Sequence, residues 1–343
     1  MIEDIKYNED KNFIKIWPYL DDVSQAIFPY SSKHLSKDKN MVVNLDFSNV
    51  KRINSSGAAI ALKKLISILS LDDSYRPFKL ITPEDKPIEE YMQNSGFLSL
   101  LDSHFHFGKY HGDLFEQIQP IEINKNTQNW IEKQPNVKKT SFPIFHLKFN
   151  PKKERESVDK FSDWLDDNVL SVLDAYNVKT DVLFSVLTEI AKNSQDHTGN
   201  DAFFGIDLLE NTNTKKGEIL FSCSDMGFGI AQNVRKFLEE NPQADLRPDV
   251  WKHGSLTDFY KWAFTLGNTT SRKTTNKGIG MTMIIDGAHN LNMDLSFFDA
   301  RSMMQMPKSL FYSPESLNHE ELRKRSYNSE NKVGFYYYGQ LKF

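Results

Sequence analysis

The sequence predicts an α/β (α+β) protein made of two units, and three observations carry that expectation. The chain has 343 residues, 39% of them hydrophobic and 13% aromatic, with 25 Phe, more than one hydrophobic core usually organises. Each half alternates short apolar, β-prone runs with longer segments of helical periodicity. Between the halves, from about Gly112 to Ser141, lies a mixed polar stretch carrying Pro120, Pro135 and the pair Lys138-Lys139, with no long Pro- or Gly-rich linker. The expected boundaries are 1–112 for the first unit with an N-terminal extension, 113–141 for a linker and 142–343 for the second unit.

In the first half, Met41-Val-Val-Asn-Leu-Asp46-Phe reads as a strand and is followed by Asn49-Val-Lys-Arg-Ile53. Asn54-Ser55-Ser56-Gly57 then opens an apolar helix from Ala58 to Leu69, with Ser55 or Ser56 as the expected cap. A short strand, Phe78-Lys-Leu-Ile-Thr82, and a second helix ending in Asn94-Ser-Gly96-Phe97-Leu98 complete a strand, helix, strand, helix module.

The second half opens with a strand candidate from Phe142 to Phe149 and a helix from Val158 to Val172, whose apolar face carries Phe161, Trp164, Leu165 and Val169. Val182, Leu183, Val186, Leu187 and Ile190 recur at helical spacing and predict an amphipathic helix from Thr180 to His197. Asp181 or Thr180 is the expected cap, and Thr198-Gly199-Asn200 the stop. Ala202 to Leu209 and Gly217 to Ser224 read as strands, Met281 to His289 as a helix, and Met293 to Phe298 and Val333 to Phe343 as aromatic, β-prone strands. The expected architecture is a mixed sheet covered on one face by helices. The charged stretch from Ser313 to Asn331, with Arg323-Lys324-Arg325, reads as an exposed insertion.

Three stretches of this half carry chemistry. At about 100° per residue, Glu189, Asn193 and Asp196 share a narrow stripe roughly a quarter turn from the centre of the apolar face, at the rim of the core. A carboxylate and a carboxamide at i and i+4 can divide labour: the acid orients or deprotonates a nucleophile while the amide oxygen binds a hard cation. Alone, the same spacing also describes a polar surface stripe, and Asp196 and His197 read as last-turn or core-edge residues. Asp225 ends the Gly217 strand, and Gly227 and Gly229 permit a tight turn with close backbone approach to a ligand; alone, such a group is a turn. The segment from Gly267 to Gly278 is rich in hydroxyls and positive charge, including Thr270, Arg272, Lys273 and Lys277. It runs into Gly278-Ile-Gly280-Met281, where glycine turns leading into a helix offer N–H groups and a favourable dipole to phosphates. Together these stretches describe a nucleotide site.

In order and spelling, Glu189-Ile-Ala-Lys-Asn193-Ser-Gln-Asp196-His197, Asp225-Met-Gly227-Phe-Gly229 and Gly278-Ile-Gly280-Met281 resemble the N, G1 and G2 boxes of the GHKL superfamily, the gyrases, heat-shock chaperones, histidine kinases and MutL-type repair proteins that share the Bergerat fold. The resemblance covers roughly residues 142–343. It implies ATP as ligand with Mg²⁺, Glu189 as general base, Asn193 as the Mg²⁺ ligand, and Asp225 as acceptor of a hydrogen bond from the adenine amino group. It also implies Gly227, Gly229, Thr270, Lys277, Gly278 and Gly280 as nucleotide-side residues, with a lid between the second and third boxes.

Over roughly residues 35–105 the first half is similar to the STAS domains of bacterial anti-anti-sigma factors. Those domains usually carry Asp-Ser-Ser-Gly at the helix start, where this chain has Asn54-Ser55-Ser56-Gly57. The match makes Ser55 a candidate phosphoacceptor, and a phosphate at a helix N-terminus is electrostatically tolerated.

Net charge is −4 and the sequence pI is near 6.2, which argues against nucleic acid as a partner. The single cysteine, Cys223, forms no intrachain disulfide, so a reducing, cytoplasmic setting is expected. No apolar run is long enough to cross a membrane, and no signal peptide or zinc-ligand spacing is read. Three functions remain open: a serine-directed protein kinase of the anti-sigma type acting on a STAS partner or on its own first half, an ATP-driven conformational switch, or a nucleotide-binding scaffold without phosphotransfer. Each brings in a protein partner or a second copy of the chain.

Overall fold

The computed structural model describes residues 13–16, 19–20, 43–69, 78–105, 121–123, 137–153, 155–225, 227, 229–242, 254, 256–265, 267–270, 278–298, 303–305, 318–320 and 335–343. The chain runs through β1 (Phe13–Lys15), β2 (Tyr19–Leu20), β3 (Val43–Asp46), β4 (Arg52–Ile53), α1 (Ser55–Leu69), β5 (Phe78–Ile81), α2 (Lys86–Asn94), α3 (Phe97–Phe105), β6 (Ile121–Ile123) and β7 (Val137–Ser141). There follow β8 (Phe145–Leu147), α4 (Glu156–Trp164), a π-helical turn at Leu165–Leu170, α5 (Ser171–Leu173), α6 (Thr180–Thr198), β9 (Ala202–Asn211) and β10 (Gly217–Asp225). The last elements are α7 (Ile230–Glu240), α8 (Leu256–Phe264), α9 (Gly280–Asn290), β11 (Asp294–Phe298), β12 (Met303–Gln305), β13 (Asn318–Glu320) and β14 (Phe335–Lys342). The class is mixed α/β, as expected. Most of the stretch from Ser313 to Asn331, with Arg323-Lys324-Arg325, lies outside the described residues.

Two compact units divide the chain: Met1–Phe145 with Phe204–Gly217, and His146–Phe203 with Glu218–Phe343. The sequence reading separates the units at 113–141; in the structure the stretch Phe204–Gly217 belongs to the first unit.

In the first unit β3 lies between β1 and β5 in a parallel sheet, with Leu45 opposite Ile14 on one side and Leu80 on the other. Val43 and Leu45, which share one face of β3, are wholly buried. Helix α1 buries Ala58, Ala59 and Leu62, the three-and-four spacing of an amphipathic helix. Its start is so close to β2 that a Cβ on Gly57 would collide with the Leu20 carbonyl. Asn54, not Ser55 or Ser56, caps this helix: its Oδ1 accepts the Gly57 N–H at 2.7 Å. Gly96, at φ 78°, breaks the chain between α2 and α3. Strand β9 pairs antiparallel with β7, which sets Ser141 opposite Asp207.

In the second unit the strand order is β13, β12, β11, β14, β10, with every one of those pairings antiparallel. Gly339 of β14 stands opposite Phe221 of β10 and leaves room for its ring. Helices α6 and α9 meet at Gly287, where a Cβ would collide with Val186. Rings of Tyr260, Phe264, Phe297 and Tyr337 follow one another at 5.8, 5.4 and 5.3 Å, forming a continuous apolar floor. Helix α6 ends at Gly199, in the left-handed region at φ 59°, as the stop signal requires. Its start departs from expectation: Lys179 is the N-cap and no side chain caps it. Thr180 and Asp181 lie inside the first turn, where Asp181 complements the helix dipole instead.

Candidate functional site

A cleft of about 620 Å³, part of it open to solvent, lies within the second unit. Asn193, Asp225, Gly229, Thr270, Gly278 and Gly280 all line it. Motifs separated by many residues in sequence thus meet on one concave surface.

Each wall follows from local structure. Asn193, only 9% exposed, projects from the penultimate turn of α6. Asp225, 2% exposed, ends β10 and accepts the Gly227 N–H at 2.8 Å through Oδ1. Gly227 does not itself line the cleft but backs this contact, since a Cβ there would stand 2.6 Å from Thr198 Cγ2 and 3.0 Å from Asp225 Oδ1. Gly278 adopts φ 68°; its carbonyl accepts the Gly267 N–H at 3.2 Å, which ties together the two ends of the intervening segment. Thr270 Oγ1 and His197 Nδ1 are 2.9 Å apart, so His197 reaches this segment from the last turn of α6. Lys277, with Arg272 and Lys273, lies outside the described residues.

The chemically distinctive corner is at Gly280. A Cβ built there would stand 3.1 Å from Glu189 Oε2 and 3.2 Å from Asn193 Oδ1, so two oxygen acceptors converge on space that glycine leaves open. The other Glu189 oxygen, Oε1, accepts Lys192 Nζ at 2.5 Å. This pairing leaves Oε2 toward the corner, although Glu189 is not itself part of the cleft lining. Gly229 is the N-cap of α7 and Gly280 the first residue of α9, and among the described residues no side chain caps either start. Their first N–H groups are donors suited to an anion. An anion on the α9 start would face the oxygens of Asn193 and Glu189, a repulsive arrangement unless a cation lies between them. Among the described residues no group of three or more His, Cys, Asp and Glu could hold a metal by itself. A cation here would therefore use the Asn193 oxygen together with oxygens of the ligand, which is how Mg²⁺ is commonly held.

Met281, Trp262 and Tyr337 also line the cleft and were not legible as site residues. Met281 could have been suspected from its place beside Gly280; Tyr337 is one of three consecutive tyrosines in a strand, with nothing local to distinguish it. Behind the cleft, Ser194 Oγ lies 3.2 Å from Cys223 Sγ, and burial pushes the Cys223 thiol well up, with Asp225 adding to the effect.

Ser55 lies in the first unit and is fully buried. Its N–H donates to Asp207 Oδ1 at 3.1 Å, and the Ser56 N–H and Oγ both donate to Oδ2 at 3.0 Å. Ser141 Oγ donates to Asp207 Oδ1 as well. Ser55 Oγ donates to the Phe142 carbonyl and accepts from Tyr91 Oη at 2.9 Å. Burial, then the Asp207 charge, raises the Tyr91 phenol far above its usual range. A buried carboxylate thus occupies the anion position of the α1 start, and Ser55 Oγ is buried with a hydrogen-bond partner on each side. Sequence reading missed Asp207; the available signal was one acid inside the apolar run Ala202-Phe-Phe-Gly-Ile-Asp-Leu-Leu209.

Among the described residues no helix is long and apolar enough to cross a membrane. Comparison of the chain with protein-family models, with curated proteins and with solved structures returned no match.

Proposed function

We propose that the second unit is a GHKL-type ATP site and that the protein binds Mg-ATP and hydrolyses it as a conformational switch. The carrying observation is the Gly280 corner, where the Glu189 and Asn193 oxygens converge at an uncapped helix start. The three motifs and their order support the same reading.

In this account the N–H groups at the starts of α7 and α9 bind phosphate oxygens, and Asp225 receives the base through its carboxylate. Asn193 Oδ1 would hold the Mg²⁺, which when bound would supply charge neutralisation at the phosphates. Glu189 Oε2 accepts the proton of a water molecule as that water's oxygen bonds to the γ-phosphorus. The bond from phosphorus to the bridging oxygen breaks, and its electron pair leaves with ADP. Lys192, paired to Oε1, keeps the carboxylate oriented for that step. Hydrolysis is favoured over transfer to Ser55 because that hydroxyl is buried and already bonded on both sides.

The test is incubation of the full chain with γ-labelled ATP and Mg²⁺, following free phosphate and retained label, with Glu189→Ala and Ser55→Ala alongside. The expected outcome is free phosphate that is lost in Glu189→Ala and unchanged in Ser55→Ala. Label retained on the chain and absent from Ser55→Ala would replace this reading with a kinase acting on its own first half.

A further inference from the structure

Asn193 can use its oxygen toward the Gly280 corner only if its amide is held the right way round. The two ends of a carboxamide are nearly the same size, so shape alone does not choose between them; neighbouring donors and acceptors do. At Asn193 these neighbours come from two other elements. Nδ2 donates to Met281 Sδ at 3.4 Å, and Tyr337 Oη donates to the same sulfur at 3.8 Å. A thioether has no proton to give, so it can accept from the amide NH₂ and cannot pair with the amide oxygen. The Tyr337 proton is directed to Met281, which leaves its oxygen as an acceptor; burial pushes the Tyr337 phenol well up, and Asn193 works against that rise, as a donor to the phenol oxygen does. The ring is fixed by burial and by its edge-on contact with Phe297 at 5.3 Å.

We propose that Met281 and Tyr337 are positioning residues that clamp the Nδ2 end of Asn193 and so present Oδ1 to the cation beside Glu189 and Gly280. Consistent with this orientation, the Gly280 corner lies 3.2 Å from Oδ1 and 3.6 Å from Nδ2. The inference rests on the Mg-nucleotide reading above and adds a specific partition of labour. Met281 and Tyr337 also line the cleft, so their action through the Asn193 amide is read from the cation dependence of binding and not from affinity alone.

The test uses the full chain and reads binding, not turnover. Calorimetric titration with a β,γ-imido ATP analogue is run in Mg²⁺ and in EDTA for wild type, Met281→Leu, Tyr337→Phe and the double variant. Each is also made in an Asn193→Asp background, where two equivalent oxygens make orientation irrelevant, and thermal melting checks that each variant folds. The expected result is that the Mg²⁺-dependent gain, the ratio of affinity in Mg²⁺ to affinity in EDTA, falls about tenfold in the double variant, the usual scale for partners that orient a metal ligand. In the Asn193→Asp background the same two substitutions are expected to leave the Mg²⁺-dependent gain nearly unchanged. Equal losses in Mg²⁺ and EDTA, or losses that persist undiminished in the Asn193→Asp background, would mean that the pair merely supports the cleft wall and would overturn the proposal. An unaltered gain in the double variant would overturn it too, while leaving the nucleotide reading standing. No analogue binding by wild type would remove that reading itself, and this inference with it.

Discussion

Two helix starts in this molecule solve the same electrostatic problem in opposite ways. At the start of α1 the free N–H groups are satisfied from within the chain, by Asn54 Oδ1 and the buried Asp207 carboxylate. At the start of α9 no side-chain cap is present among the described residues, and Gly280 leaves open space in front of two oxygen acceptors. Both starts follow a glycine- and hydroxyl-rich spelling, so the sequence alone makes each look like an anion site. The difference lies in what faces them: an internal carboxylate makes the first a structural joint, and an open, acceptor-lined corner makes the second the place where the proposed phosphate and cation would bind.

The largest expected effect comes from emptying the filled start. Asp207→Ala strands the N–H groups of Ser55 and Ser56 and takes the carboxylate from the Ser141 hydroxyl, and is expected to cost about 3 kcal/mol or more of stability. Chemical denaturation measures this; a loss under about 1 kcal/mol would mean water replaces the carboxylate cheaply. In the open site, Asp225→Asn is expected to weaken nucleotide binding by about 100-fold or more with the fold intact, because a buried acceptor is replaced by a group that also donates. Glu189→Ala is expected to spare binding and to slow phosphate release by about 100-fold; unaltered turnover would remove Glu189 as the base.

Gly280→Ala separates ligand space from stability. Alanine is favoured over glycine in helices by up to about 1 kcal/mol, so the melting point should hold, whereas Mg²⁺-dependent binding should fall about tenfold as the methyl meets Glu189 and Asn193.

The smallest effect concerns pH. Burial raises the Cys223 thiol and the Tyr91 phenol, so the folded state keeps protons that the unfolded chain releases. Both contributions are complete below the unfolded values and are lost as pH rises beyond about 9 for the thiol and 10 for the phenol. Stability should therefore decline above about pH 9, less steeply in Cys223→Ala. Within the folded protein Cys223 should react with thiol reagents only as fast as the chain unfolds.

What was legible in the sequence is what depends on neighbours along the chain. The periodicity around Ile190 marks α6, the apolar run before Asp225 marks β10, and the glycines before Met281 mark the α9 start. What was not legible depends on side chains meeting from distant elements. Asp207 reaches Ser55 across 152 positions, and Asn193 reaches Met281 across 88. The lone acid in the apolar run around Asp207 and the place of Met281 beside Gly280 are local signals, but neither says which distant side chain is reached. The capping of α1 by Asn54 and the uncapped start of α6 likewise turned on backbone geometry that several adjacent polar residues could have served.

The most direct test of the account is calorimetric titration of the full chain with the β,γ-imido ATP analogue in Mg²⁺ and in EDTA, with Asp225→Asn and Gly280→Ala beside it. The account predicts one nucleotide bound per chain, affinity that falls in EDTA, loss of binding in Asp225→Asn, and loss of most of the Mg²⁺ dependence in Gly280→Ala. No binding by wild type, or binding indifferent to Asp225 and Gly280, would contradict it.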